Sequence, residues 1–425
     1  MGERRTRAVV AMAVLGAGLL LGPAIVHTAP TPKPTLAPAP ASPGPASAEA
    51  ARIASMIRGA MAGSSLRSLL VKVTRGDTVV VERAFGESLD GVPATTDMRF
   101  RNGAVAFAYI GTLLMLLVEE HAVGLDDTIR RWEPNLPEAD KVTLKMLANQ
   151  TSGYPDYESD PRWLADFNAD PFQSWSYERR LAYAFRRPVV FPPGTGWSYA
   201  HTNFMILGEI LAKVGGKPLD RLLRERVLVP MGLTGTTASD TGSVPEPALH
   251  AYSSERRSAL GVPATRGFYE EATYWNADWG TPTGASETST IDDLATTAVA
   301  VGTGKLLTSE SYHAMTDPLL MGVGRKQANC VPSCFTQQTA YNYGLGIVRS
   351  GDWILQNPLL GGYAATEAYL PQEGIGISVA VTFLPGAFDC QGNYPNASDT
   401  VFRAIGRYLA PGDPPPAVPP FHKSC

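Results

Sequence analysis

Tyr199 and His201 stand two residues apart in Phe191-Pro192-Pro193-Gly194-Thr195-Gly196-Trp197-Ser198-Tyr199-Ala200-His201-Thr202-Asn203. The prolines and glycines make this a rigid turn, and the apolar run Phe204 to Val214 that follows reads as a helix. A phenol and an imidazole at such a turn could both face one cleft, and both groups can pass protons. Glu367 or Ser152 could complete a catalytic set with them. The plainer reading gives His201 a local task, capping the following helix or bonding the loop. Cys330, Cys334, Cys390 and Cys425 form a second group of reactive types. Outside the cytoplasm an even count favours disulfides, and four cysteines allow three connectivities. Cys330 with Cys334 would close a tight loop around Val331-Pro332-Ser333, and Cys390 with Cys425 would tie down a Pro-rich tail. Zinc fits this spacing poorly, so no metal and no cofactor is expected.

The element that must hold such a site is the run from Arg99 to Asp127. From Gly103 to Val118 it carries no charge and is rich in Ala, Leu and Met. It reads as a helix that is apolar on every face, hence buried on every face. It is shorter than the roughly 18 apolar residues of a membrane span, and Arg99, Arg101, Glu119, Glu120 and Asp126 flank it. We therefore expect the central helix of a large globular core.

Around that helix the chain expects an opening helix, Glu49 to Met61, and a hairpin of Ser68 to Thr74 with Thr78 to Ala84, turned by Arg75-Gly76-Asp77. Leu144 to Tyr154 reads as a short helix stopped at Gly153. Aromatic residues are frequent between Pro155 and Arg187, either as the core of a small helical lobe or as lining of a cleft. Leu219 to Val227 and Ile291 to Val301 are further helices. Tyr343 to Arg349, Trp353 to Gln356, Tyr363 to Leu370 and Ile375 to Leu384 form a meander, and Asp399 to Leu409 is a last helix. Strands at both ends with helices between imply an α+β fold: one antiparallel sheet built from both chain ends, flanked by helices, with an inserted helical lobe.

The chain has 425 residues, 44% hydrophobic and 18% charged, with a net charge of -4. These are globular values, and without a basic block nucleic acid is not an expected partner. The Arg-, Ala-, Gly- and Pro-rich usage suggests a high-GC bacterium. Arg4, Arg5 and Arg7 precede an apolar stretch, Ala8 to Leu21, that reads as an export signal. Cleavage could follow Ala24 or Ala29, or the segment could stay as an N-terminal membrane anchor. No Cys lies near its end, which excludes a lipoprotein. The expected organisation is 1–28 signal peptide or anchor, 29–48 Pro/Ala-rich linker, 49–410 folded domain and 411–425 Pro-rich tail, with an extracytoplasmic location.

Six stretches, in order, resemble the serine β-lactamase and D-alanyl-D-alanine peptidase superfamily, in its class C β-lactamase and esterase branch. They are Leu125-Asp126-Asp127, Gln150-Thr151-Ser152-Gly153, Pro193-Gly194-Thr195 before Tyr199, Pro230-Met231-Gly232-Leu233-Thr234, Ser289-Thr290 to Asp293-Leu294, and Tyr343-Gly344-Leu345-Gly346. The resemblance covers about Ala50 to Leu409 and implies the superfamily's fold. It also implies three catalytic motifs: Ser-x-x-Lys opening the buried helix, Tyr-x-Asn, and a His-x-Gly or Lys-Thr-Gly strand. Aligned on Phe100-Arg101-Asn102-Gly103, this chain has Ala104 at the nucleophile and Phe107 at the lysine. Tyr199 is kept, His201 replaces Asn, and Asn357-Pro358-Leu359 replaces His-x-Gly. Ala104 offers no nucleophile and Phe107 carries no proton. The resemblance thus implies a catalytically degenerate binding or scaffold protein of the cell envelope, with a peptidoglycan peptide or a small ester or amide as ligand. The alternative is a hydrolase with a relocated catalytic set around Tyr199 and His201.

Overall fold

The computed structural model describes residues 45–238, 241–330 and 333–425 of the chain. The expected export signal lies outside the described residues, as does the expected linker as far as Gly44. The opening helix is longer than expected, Pro45–Ser64. Its start is compatible with Pro45, because a first-turn proline forfeits no intrahelical hydrogen bond.

Leu66–Arg75 pairs with Thr78–Leu89 on one side and with Ile375–Phe383 on the other, so the two ends of the chain meet in one sheet. Beyond Ile375–Phe383 the order continues through Tyr363–Leu370, Trp353–Gln356 and Val348–Ser350 to Asn342–Tyr343, with every pair antiparallel. The register places Val71 opposite Val379 and, on the other face, Lys72 opposite Ser378. Helix Ala397–Leu409 packs on the Val71 face, where Thr366 and Ser398 share a 2.8 Å hydrogen bond. Helix Ile291–Gly302 covers the Lys72 face. A sheet covered on both faces explains why Tyr363–Leu370 and Ile375–Phe383 are buried at every residue.

The central helix is Val105–Glu119, and Val105 to Met115 are all buried, as the uncharged run predicts. It packs against His201–Gly215 and Ser309–Thr316. The expected strand Tyr343 to Arg349 is instead broken into Asn342–Tyr343 and Val348–Ser350. Gly346, with φ +83°, turns the chain there, and a Cβ on it would sit 2.2 Å from the carbonyl oxygen of Phe107. The break lets the strand pass the helix backbone at a distance only glycine permits. Two other expectations also shift. Leu144–Ala148 stops at Asn149 rather than at Gly153, because Gln150 with φ 68° already reverses the chain. Leu219–Leu223 passes into a wider π-type turn, Arg224–Leu228.

The inserted lobe contains helices Pro161–Ala169 and Tyr177–Ala184. Its aromatics make a local core: Trp163 stacks on Phe167 at 5.3 Å, Trp175 lies 5.5 Å from Trp163, and Phe167 meets Trp275 edge-on at 5.8 Å.

Candidate functional site

A cavity of about 440 Å³ opens at the start of the central helix. Gly103 and Ala104 line it from the turn that leads into the helix, Glu158 from the loop before the inserted lobe, and Trp197, Tyr199 and His201 from the turn read in the sequence. Trp279 comes from the 3-10 turn Ala277–Trp279, and Gln356 to Leu360 from the end of a sheet strand. Phe335 and Tyr341 line it from the segment that follows Cys334.

At the floor, Ala104 is half-buried and precedes the first helical residue. Phe107, one turn on, is fully buried and stacks face to face on Phe204 with 3.9 Å between ring centroids and 6° between planes. Burying a phenyl ring contributes roughly 1.5–3 kcal/mol, and a well-placed ring pair adds about 0.5–1.5 kcal/mol. Phe107 therefore belongs to the core beneath the cavity and does not line it.

The wall is built oppositely. His201 is the first residue of helix His201–Gly215, and its backbone N–H donates to Asp156 Oδ1 at 3.3 Å. Its ring Nδ1–H donates to Asp156 Oδ2 at 3.1 Å, and Glu158 Oε1 lies 2.8 Å from the same nitrogen. Desolvation opposes charge on this imidazole, but Glu158 and Asp156 outweigh it and hold its pKa up to about 10. Burial raises the Glu158 carboxyl while His201 pulls it back. His201 is therefore an imidazolium at neutral pH and cannot accept a proton as a general base. Burial and the neighbouring Tyr343 and Tyr341 raise the Tyr199 phenol as well, so a tyrosinate is not at hand. Asp156, Glu158 and His201 could in principle hold a metal, since their donor atoms all lie within 4.8 Å of one another. A metal would have to displace a firmly held imidazole proton.

The loop-bonding task foreseen for His201 is thus present, but the ring also faces the cavity. Asn357 faces it too, yet its side-chain amide donates to Asp399 Oδ1 at 3.1 Å, and Asp399 is clamped by Arg403 Nε at 2.7 Å. Beside it, Pro358 closes over Gly103, where a Cβ would meet Pro358 Cβ at 2.9 Å. Ser152 is buried and bonds Asn203 Oδ1 at 2.5 Å, and Glu367 is buried within the sheet. Neither lines the cavity. Cys330 pairs with Cys334 and Cys390 with Cys425. The first disulfide closes a loop whose Ser333 carbonyl accepts from the Tyr199 N–H at 3.1 Å, so it braces the cavity mouth. Sequence reading missed Asp156, Glu158 and Trp279. The only local signal was the acidic run Asp156-Tyr157-Glu158-Ser159-Asp160.

The chain spans about two fifths of the length of the curated relatives it matches. It is 25% identical over 193 residues to penicillin-binding protein 4* of Bacillus subtilis, covering 42% of this chain and 40% of that one. Identity is 32% over 165 residues with penicillin-binding protein 4 of Amycolatopsis lactamdurans, covering 37% and 40% respectively. The D-amino acid amidase of Ochrobactrum anthropi SV3 superposes with a TM-score of 0.70 at 21% identity, covering 85% of this chain and 98% of that one. The D-stereospecific amidohydrolase of a Streptomyces species gives 0.68 at 22% identity, covering 84% and 98%. The two superpositions show a shared fold. The family described as Beta-lactamase matches residues 53–401, most of the chain, and this protein belongs to it.

Proposed function

We propose that this protein is a non-hydrolytic member of its family that binds a small ligand, of peptide or amide type, in the cavity above Ala104. The observation that carries the reading is the Phe107–Phe204 stack at 3.9 Å. In the Ser-x-x-Lys arrangement the amine helps remove the serine proton, and neither group has an equivalent here. A phenyl ring held between the helix and Phe204 leaves no room for a proton acceptor below position 104. The relocated set is disfavoured for a separate reason: its base would be His201, whose proton two carboxylates hold. The substrate class is an extension from relatives called D-aminopeptidase and D-amino acid amidase.

Export belongs to the same proposal. It rests on the Arg4, Arg5 and Arg7 signal region and on two disulfides, which persist in oxidising compartments. Among the described residues no helix is long and apolar enough to cross a membrane.

The test is intact-protein mass after incubation with excess penicillin and, separately, with a fluorophosphonate. Both reagents need an activated nucleophile, and the expected mass is that of the unmodified chain. A stoichiometric adduct on the wild-type protein would overturn the reading and restore a hydrolase.

A further inference from the structure

The cavity's charge and ring content are the reverse of what a carboxylate-bearing ligand needs. Among the described residues lining it there is no Lys and no Arg. Its charged members are Glu158 on the wall, Glu255 at the exposed rim and the His201 imidazolium. His201 sits against two carboxylates, Asp156 and Glu158, and burial holds the Glu158 carboxyl up to about 7, so Glu158 gains its full charge above neutral pH. The imidazole Nδ1 lies 3.1 Å from Asp156 Oδ2 and 2.8 Å from Glu158 Oε1, so one ring nitrogen serves both carboxylates. The amide donor of Asn357 is turned away to Asp399.

The remaining wall is a run of rings. Phe335 packs on Trp197 at 4.7 Å and Trp197 lies 6.0 Å from Tyr341. On the other side Tyr199 meets His201 at 5.1 Å, and His201 meets Trp279 at 6.5 Å. Ring faces are electron-rich and attract cations within about 6 Å of a centroid, Trp most strongly. An anionic ligand would meet Glu158 and these rings with no free cation in return, which costs affinity through unpaired desolvation.

We propose that the ligand group this cavity selects is an organic ammonium, seated against the Trp279 ring and the Glu158 carboxylate. This deepens the binding reading above and rests on it. A methylated ammonium would draw mainly on the rings, a primary one mainly on Glu158, and the recognition chemistry is shared.

The experiment titrates the full chain with choline, its neutral carbon isostere 3,3-dimethylbutan-1-ol, n-butylammonium and pivalate, by calorimetry and tryptophan fluorescence. At least one cation should bind about tenfold or more tightly than the neutral isostere, with no binding of pivalate. Trp279→Leu should cut choline affinity by about fivefold or more, and Glu158→Gln should do the same for n-butylammonium. Both variants should keep the wild-type circular dichroism spectrum; where Glu158→Gln does not, Trp279→Leu decides. Equal or tighter binding of the alcohol or pivalate would overturn the cation assignment while leaving a ligand-binding cavity. Absence of binding by all four also overturns it. A covalent penicillin adduct would instead strike the non-hydrolytic reading, whatever the ammonium titration gives.

Discussion

The floor and the wall of the cavity are neighbours made of opposite materials. The Phe107 and His201 ring centroids are 6.3 Å apart. On the floor, Phe107 and Phe204 stack with both rings fully buried. On the wall, His201 is charged and held by two carboxylates. The contrast teaches that a surface can be without a ready proton acceptor in two distinct ways. One has no titratable group, as at Phe107. The other has a titratable group whose proton is fixed, as at His201.

The strongest challenge to that contrast is Phe107→Lys. An ammonium there would lie against Phe204 in a fully buried place, and we expect a loss of about 4 kcal/mol or more by urea unfolding. Unchanged stability would mean that water reaches the floor. Next in size is His201→Gln, which leaves Asp156 and Glu158 facing one another without a counter-charge. Its expected cost is about 3 kcal/mol, and a cost near zero would reduce the wall to a solvated ion pair.

pH separates the two surfaces without mutation. The folded pKa of His201 is raised to about 10, above the unfolded value of about 6.5. Its contribution is therefore fully present below about pH 6.5 and is lost as pH rises through about 10. The urea midpoint should fall between pH 8 and pH 10 in the wild type and fall less in His201→Gln. Equal slopes would show that the imidazole is not held as argued. A smaller effect is expected from Asn357→Ala, which removes one hydrogen bond to Asp399 and should cost about 1 kcal/mol. The smallest is Ala104→Ser: stability within about 0.5 kcal/mol of wild type, and no mass increase with penicillin. An adduct on that single variant would mean that a base from elsewhere in the cavity serves position 104.

The fold was largely legible because its signals are local and ordered. An uncharged run of Ala, Leu and Met can only be a buried helix at this length, and the terminal Val-rich stretches alternate and turn as strands do. Tyr343 to Arg349 misled because Gly346 breaks the strand for a reason outside the strand, the approach of the Phe107 carbonyl. Of the residues named from their place in ordered motifs, Ala104, Tyr199, His201 and Asn357 line the cavity and Phe107 lies beneath it. Asp156 and Glu158 were not named, since they reach His201 from a loop more than 40 residues away, with no periodicity to betray them. Trp279 comes from a short 3-10 turn that carries no pattern at all.

The stacked pair beneath the helix also governs which sequences lie within reach of this one. A lysine at position 107 alone buries an ammonium against Phe204, and a serine at position 104 alone has no base beside it. Neither first step toward a Ser-x-x-Lys pair brings a benefit, and one of them is costly. Building that pair therefore needs coordinated changes at 104 and 107, the second of them against the Phe204 ring. Point mutation taken one step at a time reaches neighbouring cavity shapes more readily than a Ser-x-x-Lys pair.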